Sequence, residues 1–88
     1  MEKIEMEVFS LAGNEPIVRL PGRCYPDCVI GRAQLGLFHQ LATSILERAR
    51  DSGDEKLICD AEQLQLLLMA RLKWYEQVCR ENGIKLPY

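Results

Sequence analysis

The chain has 88 residues, a formal charge of −2 and a sequence pI near 5.3. That balance provides no concentrated positive surface, which binding to nucleic acid phosphates requires, so we expect no nucleic acid partner. The length and an apolar fraction of 48% correspond to one globular domain, residues 1–88, with one small core. The longest apolar run, residues 66–70, is too short to span a bilayer, and the N-terminus is unlike a signal peptide. We therefore expect a cytoplasmic protein without a membrane partner.

Three short strands are predicted in the first third of the chain. Residues 3–9 alternate apolar and charged side chains, which is typical of a half-buried strand. Residues 12–16 contain Gly and Pro and predict a turn, after which residues 17–20 form a second strand in a hairpin with the first. Residues 28–30 follow another turn and predict a short third strand or an extended lead into the first helix.

The first helix is predicted over residues 32–50, where apolar residues recur at helical spacing. Its expected core stripe comprises Leu35, Phe38, Leu41, Ala42, Ile45 and Ala49. Gly36 lies near the start and costs about 1 kcal/mol relative to alanine in a helix interior. Either the helix begins after Gly36 or another group packs closely against it.

The second helix is predicted over residues 53–82. Its expected seam comprises Leu57, Ala61, Leu64, Leu68, Tyr75 and Cys79. Ser52 and Glu55 have the spacing of a capping box, in which each side chain satisfies a free backbone N–H at the helix start. Asn82-Gly83 predicts the end of the helix, and Pro87 prevents its resumption.

These elements predict an α+β fold. A small antiparallel β-hairpin or three-stranded sheet is expected to pack on an antiparallel two-helix hairpin, because the link between the helices is short. The second helix would span about 43 Å, whereas a compact globule of this size has a diameter of about 31 Å. Part of the helix should therefore overhang and expose Leu66, Met69 and Trp74.

The residue types that carry metal and nucleophilic chemistry are few. His39 is the single histidine, and the four cysteines are Cys24, Cys28, Cys59 and Cys79. Without an export signal the cysteines are not expected to form disulfides, and the spacing of Cys24 and Cys28 differs from that of a zinc knuckle. We therefore expect no metal, no cofactor and no catalytic residues, although a Cys–His pair keeps a Cys-dependent enzyme as an alternative.

Two segments and one aromatic residue are the candidate partner-binding groups. They are Glu15, Arg19, Arg23, Tyr25 and Asp27 around the second strand and its loop, Asp51 and Asp54 between the helices, and Trp74. Arg23 has the geometry to clamp a carboxylate, but it can equally pair with Glu5 or Glu7 on the sheet. The acidic residues between the helices are either a docking patch for a basic partner or a solvated helix start.

Residues 14–30 resemble the opening of a family of small, uncharacterised bacterial proteins. The family pattern is Val-Arg-Leu-Pro-Gly-Arg, an aromatic-Pro pair and Val-Ile. The matching residues are Arg19, Pro21, Gly22, Arg23, Tyr25, Pro26, Val29 and Ile30. The pattern tends to continue as Gln-Gly-Asp, whereas this chain has Gly31-Arg32-Ala33, so a role of that acidic residue is not inherited. Such small proteins resemble the immunity proteins of bacterial toxin systems.

The favoured interpretation is a non-catalytic binding module: a cytoplasmic immunity protein that neutralises a cognate toxin by direct binding. Small size, acidity and the resemblance favour it. The first alternative is a structural or regulatory homodimer that pairs through Leu66, Met69 and Trp74 of the long helix. The second is the Cys-dependent enzyme.

Overall fold

A computed structural model of the protein describes residues 1–13 and 15–86. Within them, three strands and two helices form in chain order, which confirms the α+β class and the antiparallel sheet. They are β1 (Glu7–Ser10), β2 (Ile17–Arg19), β3 (Asp27–Cys28), α1 (Arg32–Ser52) and α2 (Glu55–Glu81). The chain divides into two compact units, Met1–Arg32 with the sheet and Ala33–Tyr88 with the helical hairpin.

The sheet has the order β1-β2-β3, and both pairings are antiparallel. Glu7 lies opposite Arg19 and Val8 opposite Val18, but Ser10 then lies opposite Ile17. Two steps along β1 therefore match one step along β2, so Phe9 is the extra residue of a β-bulge. Val18, in the central strand, is the buried apolar residue among the described residues of this unit.

The strands are shorter than the side-chain patterns predict. The first strand begins at Glu7 instead of residue 3, because the register would place Glu5 opposite Pro21, which has no N–H and lies in a turn. The second strand ends at Arg19 for the same reason. The third covers Asp27–Cys28 instead of residues 28–30, although the Val29 N–H extends the pairing by donating to the Pro16 carbonyl at 2.8 Å.

The link between the helices differs from the predicted capping box. Ser52 belongs to the last turn of α1, where its hydroxyl donates to the Ala49 carbonyl at 2.6 Å and accepts from the Asp54 N–H at 3.1 Å. Gly53, with φ of 73°, ends α1. The N-cap of α2 is therefore Asp54, whose backbone is extended and whose carboxylate accepts from the Leu57 N–H at 3.1 Å. The prediction of Ser52 as the cap is wrong because α1 continues past residue 50 and includes it.

The predicted end of α2 is confirmed. Gly83 adopts φ of 67°, its N–H donates to the Arg80 carbonyl at 3.2 Å, and the Ile84 N–H donates to the Cys79 carbonyl at 2.8 Å. This pair of hydrogen bonds is a Schellman motif, which satisfies carbonyls left free by the helix end. Pro87, and Asn14 in the predicted first turn, lie outside the described residues.

The two helices are antiparallel neighbours, as expected. Their shared core consists of Leu46, Ala49 and Ala61, which are 2%, 0% and 4% exposed, with Ile58 packed against it. Farther along the hairpin, the Gln65 amide donates to the Thr43 hydroxyl at 3.1 Å. A residue farther from the link on α1, Thr43, therefore contacts a residue farther from the link on α2, Gln65, as in antiparallel helices.

The buried faces are rotated from the predicted stripes. Ala42, Leu46 and Ala49 are the buried residues of α1, whereas Phe38, Leu41 and Ile45 are 39%, 51% and 45% exposed. In α2 the seam residues Ala61 and Cys79 are buried, whereas Leu57 and Leu64 are exposed. Alanine side chains let helices approach closely, so the contact follows the alanines and leaves the larger side chains at its flank.

We expect Asp54→Ala to lower the free energy of unfolding by about 1 kcal/mol, because the Leu57 N–H loses its cap. Thermal denaturation should show a fall in Tm of about 4–8 °C for a chain of this length. Asp51→Ala is the matched control, since Asp51 is exposed in the last turn of α1, where a negative charge is unfavourable. An equal loss in both variants would contradict the assignment of the cap.

We expect Gly36→Ala to raise the free energy of unfolding by about 0.5–1 kcal/mol, because the helix includes Gly36 and a Cβ there meets nothing within 4 Å. Gly53→Ala is the control of opposite sign. A Cβ at Gly53 also meets nothing within 4 Å, but φ of 73° is strained for alanine. Chemical denaturation of both variants should show a gain for the first and a loss for the second.

Candidate partner-binding site

A charged pair fixes one end of the loop between β2 and β3. Arg19 and Glu7 lie directly opposite each other on paired strands, and Nη2 of the guanidinium donates to both carboxylate oxygens at 2.7 and 2.8 Å. The Arg19 Cζ also lies 5.3 Å from the centroid of the Phe9 ring, on the same face of β1. The side chain of Arg19 is therefore held by a salt bridge and by an aromatic ring at once.

The chain reverses immediately after β2. The Arg23 N–H donates to the Leu20 carbonyl at 3.2 Å, and Gly22 between them adopts φ of 81°. Pro21 and Gly22 at the two central positions are the residues that a type II turn prefers, since proline pre-sets its φ and glycine accepts the positive φ. The Pro-Gly pair that ends the predicted strand thus gives the loop a defined conformation.

A second charged pair joins the turn to β3. Arg23 Nη1 lies 3.7 Å from an Asp27 carboxylate oxygen, and both side chains are more than half exposed. From the sequence, the predicted structural partner of Arg23 is Glu5 or Glu7. The observed partner is Asp27, because Glu7 is already paired with Arg19. Between Arg23 and Asp27 lies Tyr25, whose residue is 82% exposed.

A shallow cleft of about 470 Å³ adjoins this loop. Residues 5–7 line one wall and residues 19–23 line the other. The cleft therefore contains two carboxylates and two guanidinium groups, and one of each is already joined in the Glu7–Arg19 pair.

The structure brings together four of the eight residues expected to bind a partner: Arg19, Arg23, Tyr25 and Asp27. Glu15 is exposed ahead of β2 in the same unit. Asp51, Asp54 and Trp74 belong to the helical unit, where Asp54 serves as the N-cap and Trp74 is 63% exposed. Asp54 in the acidic turn between the helices therefore has a structural role, which agrees with the interpretation of this turn as a solvated helix start.

Sequence reasoning missed the roles of Glu7 and Phe9 as supports for Arg19. The hairpin register was the signal that would have found them. Pairing Val8 with Val18 places Glu7 opposite Arg19 and leaves Phe9 on the face that Glu7 occupies.

The cysteines and the histidine are dispersed over the described structure. All four cysteines are free; Cys24, Cys28 and Cys59 are exposed, and Cys79 is buried. His39 is half-buried in α1, and its Nε2 has no hydrogen-bond partner among the residues described. In residues 1–13 and 15–86, no three His, Cys, Asp or Glu side chains are grouped to hold a metal ion. Neither described helix has the length and apolarity needed to cross a membrane.

We expect Glu7→Gln to lower the free energy of unfolding by up to about 1 kcal/mol at low salt, because an exposed ion pair contributes in that range. The difference from the unchanged protein should shrink in 1 M salt, where the Debye length is about 3 Å. Glu5→Gln is the matched control, since Glu5 is exposed two positions before Glu7 and lies outside β1. A Glu7→Gln effect equal to that of the control, or insensitive to salt, would contradict a supporting role for the pair.

Comparison with known proteins places this geometry in a family. Searches of curated proteins and of solved structures found no match. A family of unknown function, DUF6959, matches residues 1–88, the full length of the chain. The protein with this three-stranded sheet, its braced loop and its helical hairpin therefore belongs to the family of unknown function DUF6959.

Proposed function

We propose that the protein is a binding module that acts on another protein by contact, without catalysis, through the loop of residues 20–26. The observation that carries this proposal is the placement of Tyr25. Tyr25 is 82% exposed and lies between Arg23 and Asp27, whose ion pair joins the loop to β3, while the Glu7–Arg19 pair lies at the start of the loop. Tyrosine is enriched in protein interfaces, where its ring supplies contact area and its hydroxyl a hydrogen bond.

The stiffness of the loop supports a binding role because ordering a flexible segment reduces affinity. Immobilising a side chain at an interface costs about 0.5–1.5 kcal/mol. The turn at Pro21-Gly22 and the hydrogen bond from the Arg23 N–H to the Leu20 carbonyl set the conformation of residues 20–23 before a partner arrives. A partner that docks on Tyr25 therefore meets a turn that is already formed in the residues before it.

Arg23 gives the loop a specific polar group. Its contact with Asp27 is long, at 3.7 Å, and its side chain is 60% exposed. A guanidinium has five N–H donors, so Arg23 retains donors for a carboxylate or a backbone carbonyl of the partner. Tyrosine and arginine are both enriched among the residues that dominate the binding energy of interfaces.

For the partner, we propose a cognate bacterial toxin, which the protein neutralises in the cytoplasm as an immunity protein. The resemblance of residues 14–30 to small bacterial proteins of that kind supports this partner class. The charge of −2 supports it as well, because an acidic inhibitor gains association rate toward the basic surface of a toxin that acts on nucleic acid.

The test is to identify the gene immediately upstream of this one and to co-express its product, as the candidate toxin, with this chain. We expect the chain to restore cell growth and to co-purify with the toxin. Tyr25→Ala should weaken the purified complex by a factor of about 30 or more, since an aromatic hot spot carries about 2 kcal/mol or more. Titration calorimetry of the purified pair gives the affinity directly.

Leu11→Ala is the matched control, because Leu11 is a large exposed side chain of the same unit in the other loop. It should leave the affinity within a factor of about two. Tyr25→Phe separates the ring from the hydroxyl and should retain most of the binding. The absence of both a complex and growth protection would contradict the toxin proposal. Equal losses of affinity for Tyr25→Ala and Leu11→Ala would contradict the assignment of the loop.

A further inference from the structure

One side of the helical hairpin carries large apolar side chains that the described structure leaves exposed. They are Phe38, Leu41 and Ile45 on α1, and Leu57, Leu64, Leu67 and Trp74 on α2. The core that the two helices share contains only Leu46, Ala49 and Ala61 with Ile58 beside it. More large apolar groups are therefore exposed along the hairpin than are buried in its core.

Both sets of exposed residues lie on the same side of the hairpin. On α1, exposed Leu41 and Ile45 each precede a buried residue by one position, and on α2 exposed Leu57 likewise precedes Ile58 in the core. One position back is a rotation of 100° in the same sense on each helix. Because the helices are antiparallel, equal rotations from the shared seam bring the two stripes to one face.

The exposed stripe of α2 has a palindromic pattern of side-chain classes. Its members recur at alternating spacings of three and four: Leu57, Asp60, Leu64, Leu67, Arg71 and Trp74. The two apolar ends, the two charged positions and the central leucine pair are symmetric about a point between Gln65 and Leu66. The two charges have opposite signs. Against an antiparallel copy of the same stripe, apolar side chains would therefore lie opposite apolar side chains, and Asp60 would lie opposite Arg71.

We propose that this face binds a second copy of the chain in an antiparallel, two-fold symmetric dimer. Leu64 then packs against Leu67 of the partner subunit, and Leu57 against Trp74 of the partner subunit. Asp60 pairs with Arg71 of the partner subunit, and the symmetry forms each contact twice. The spacing of three and four is that of helices packed side by side in a bundle.

The exposed apolar residues of α1 fit the same two-fold axis. The hydrogen bond from Gln65 to Thr43 fixes which level of α1 lies beside the centre of the α2 stripe. A two-fold axis at that level places residue 41 of one protomer opposite residue 45 of the other. Leu41 and Ile45, both exposed in the single chain, would then oppose each other in the dimer. One axis thus accounts for the stripes of both helices.

Among the described residues, the charged side chains of the stripe make exposed, local contacts in the single chain. Asp60 pairs with Lys56 one turn away at 3.0 Å, and Arg71 donates to the Leu67 carbonyl at 3.0 Å. A partner charge can replace either contact. The surface expected from the sequence, Leu66, Met69 and Trp74, shares only Trp74 with this stripe, because Met69 is half-buried and Leu66 points to another side of α2.

The size of the face suits a dimer. From Leu57 to Trp74 the stripe runs about 26 Å along the helix, and two adjacent helices are about 20 Å wide. Their flat area of about 500 Å² corresponds to a larger accessible area once side chains are counted, near the roughly 800 Å² per partner of a specific interface. A second copy is present wherever the chain is made, so it can cover this face at all times.

Light scattering of the full chain during size-exclusion chromatography tests the assembly. We expect a mass of about 20 kDa, twice the 10.1 kDa of one chain. Charge reversal then tests the register. Asp60→Arg and Arg71→Asp should each weaken the dimer at least tenfold, because each places like charges opposite each other twice. The two variants mixed together should form heterodimers at least tenfold tighter than either variant alone, since every pair is again opposite in sign.

Lys73→Asp is the matched control, since Lys73 is exposed on α2 away from the stripe, and it should leave the dimer unchanged. Circular dichroism establishes that each variant is helical, and the Asp60→Arg, Arg71→Asp double variant should recover the dimer if a single variant fails to fold. A mass near 10 kDa at tens of micromolar would overturn the proposal. So would a dimer that both single variants leave intact, or a mixture that forms no heterodimer.

Discussion

The close contact of α1 and α2 through Ala49 and Ala61 is the constraint on which the helical unit depends. Side chains this small allow two helices to approach, and Leu46 fills the space beside them. The same contact determines what is left outside, because helix faces that turn Ala42 and Ile58 inward cannot also bury the leucines one position earlier, Leu41 and Leu57. The exposed side of the hairpin is therefore a direct result of how its core is formed.

The sheet unit depends on a different kind of interaction. Its buried apolar content is small, so strand register and polar contacts define its shape. The pairing of Glu7 with Arg19 links the strand register to the loop, because Arg19 ends β2 and the turn at Pro21-Gly22 starts at the next residue, Leu20. Each polar contact is weak by itself, but together they restrict a loop that carries an almost fully exposed tyrosine. Rigidity and exposure in one segment are what a recognition surface requires.

The α+β class, the five elements and the end of α2 at Asn82-Gly83 could be predicted from local patterns, because period, turn residues and helix-stop residues are local properties. The core face could not. Phe38 and Leu41 have the same spacing as core residues, and only the partner helix decides whether Leu41 or Ala42 faces the seam. The prediction of the N-cap was wrong for a similar reason, since Ser52 and Asp54 are both good N-cap residues and the choice depended on where α1 ended. For the site, residues 19–27 were found by composition, whereas Glu7 and Phe9 required the strand register.

The bulge at Phe9 also affects how the sheet avoids unwanted growth. A three-stranded sheet has two open edges, and unpaired N–H and C=O groups along an edge recruit strands from other chains into aggregates. Here the outer strand β1 begins with a glutamate and is interrupted by the bulge, and the opposite edge, β3, has two residues. Neither edge offers a long, flat template. The irregularities that shorten the strands relative to their sequence pattern therefore also keep the sheet from extending into fibrils.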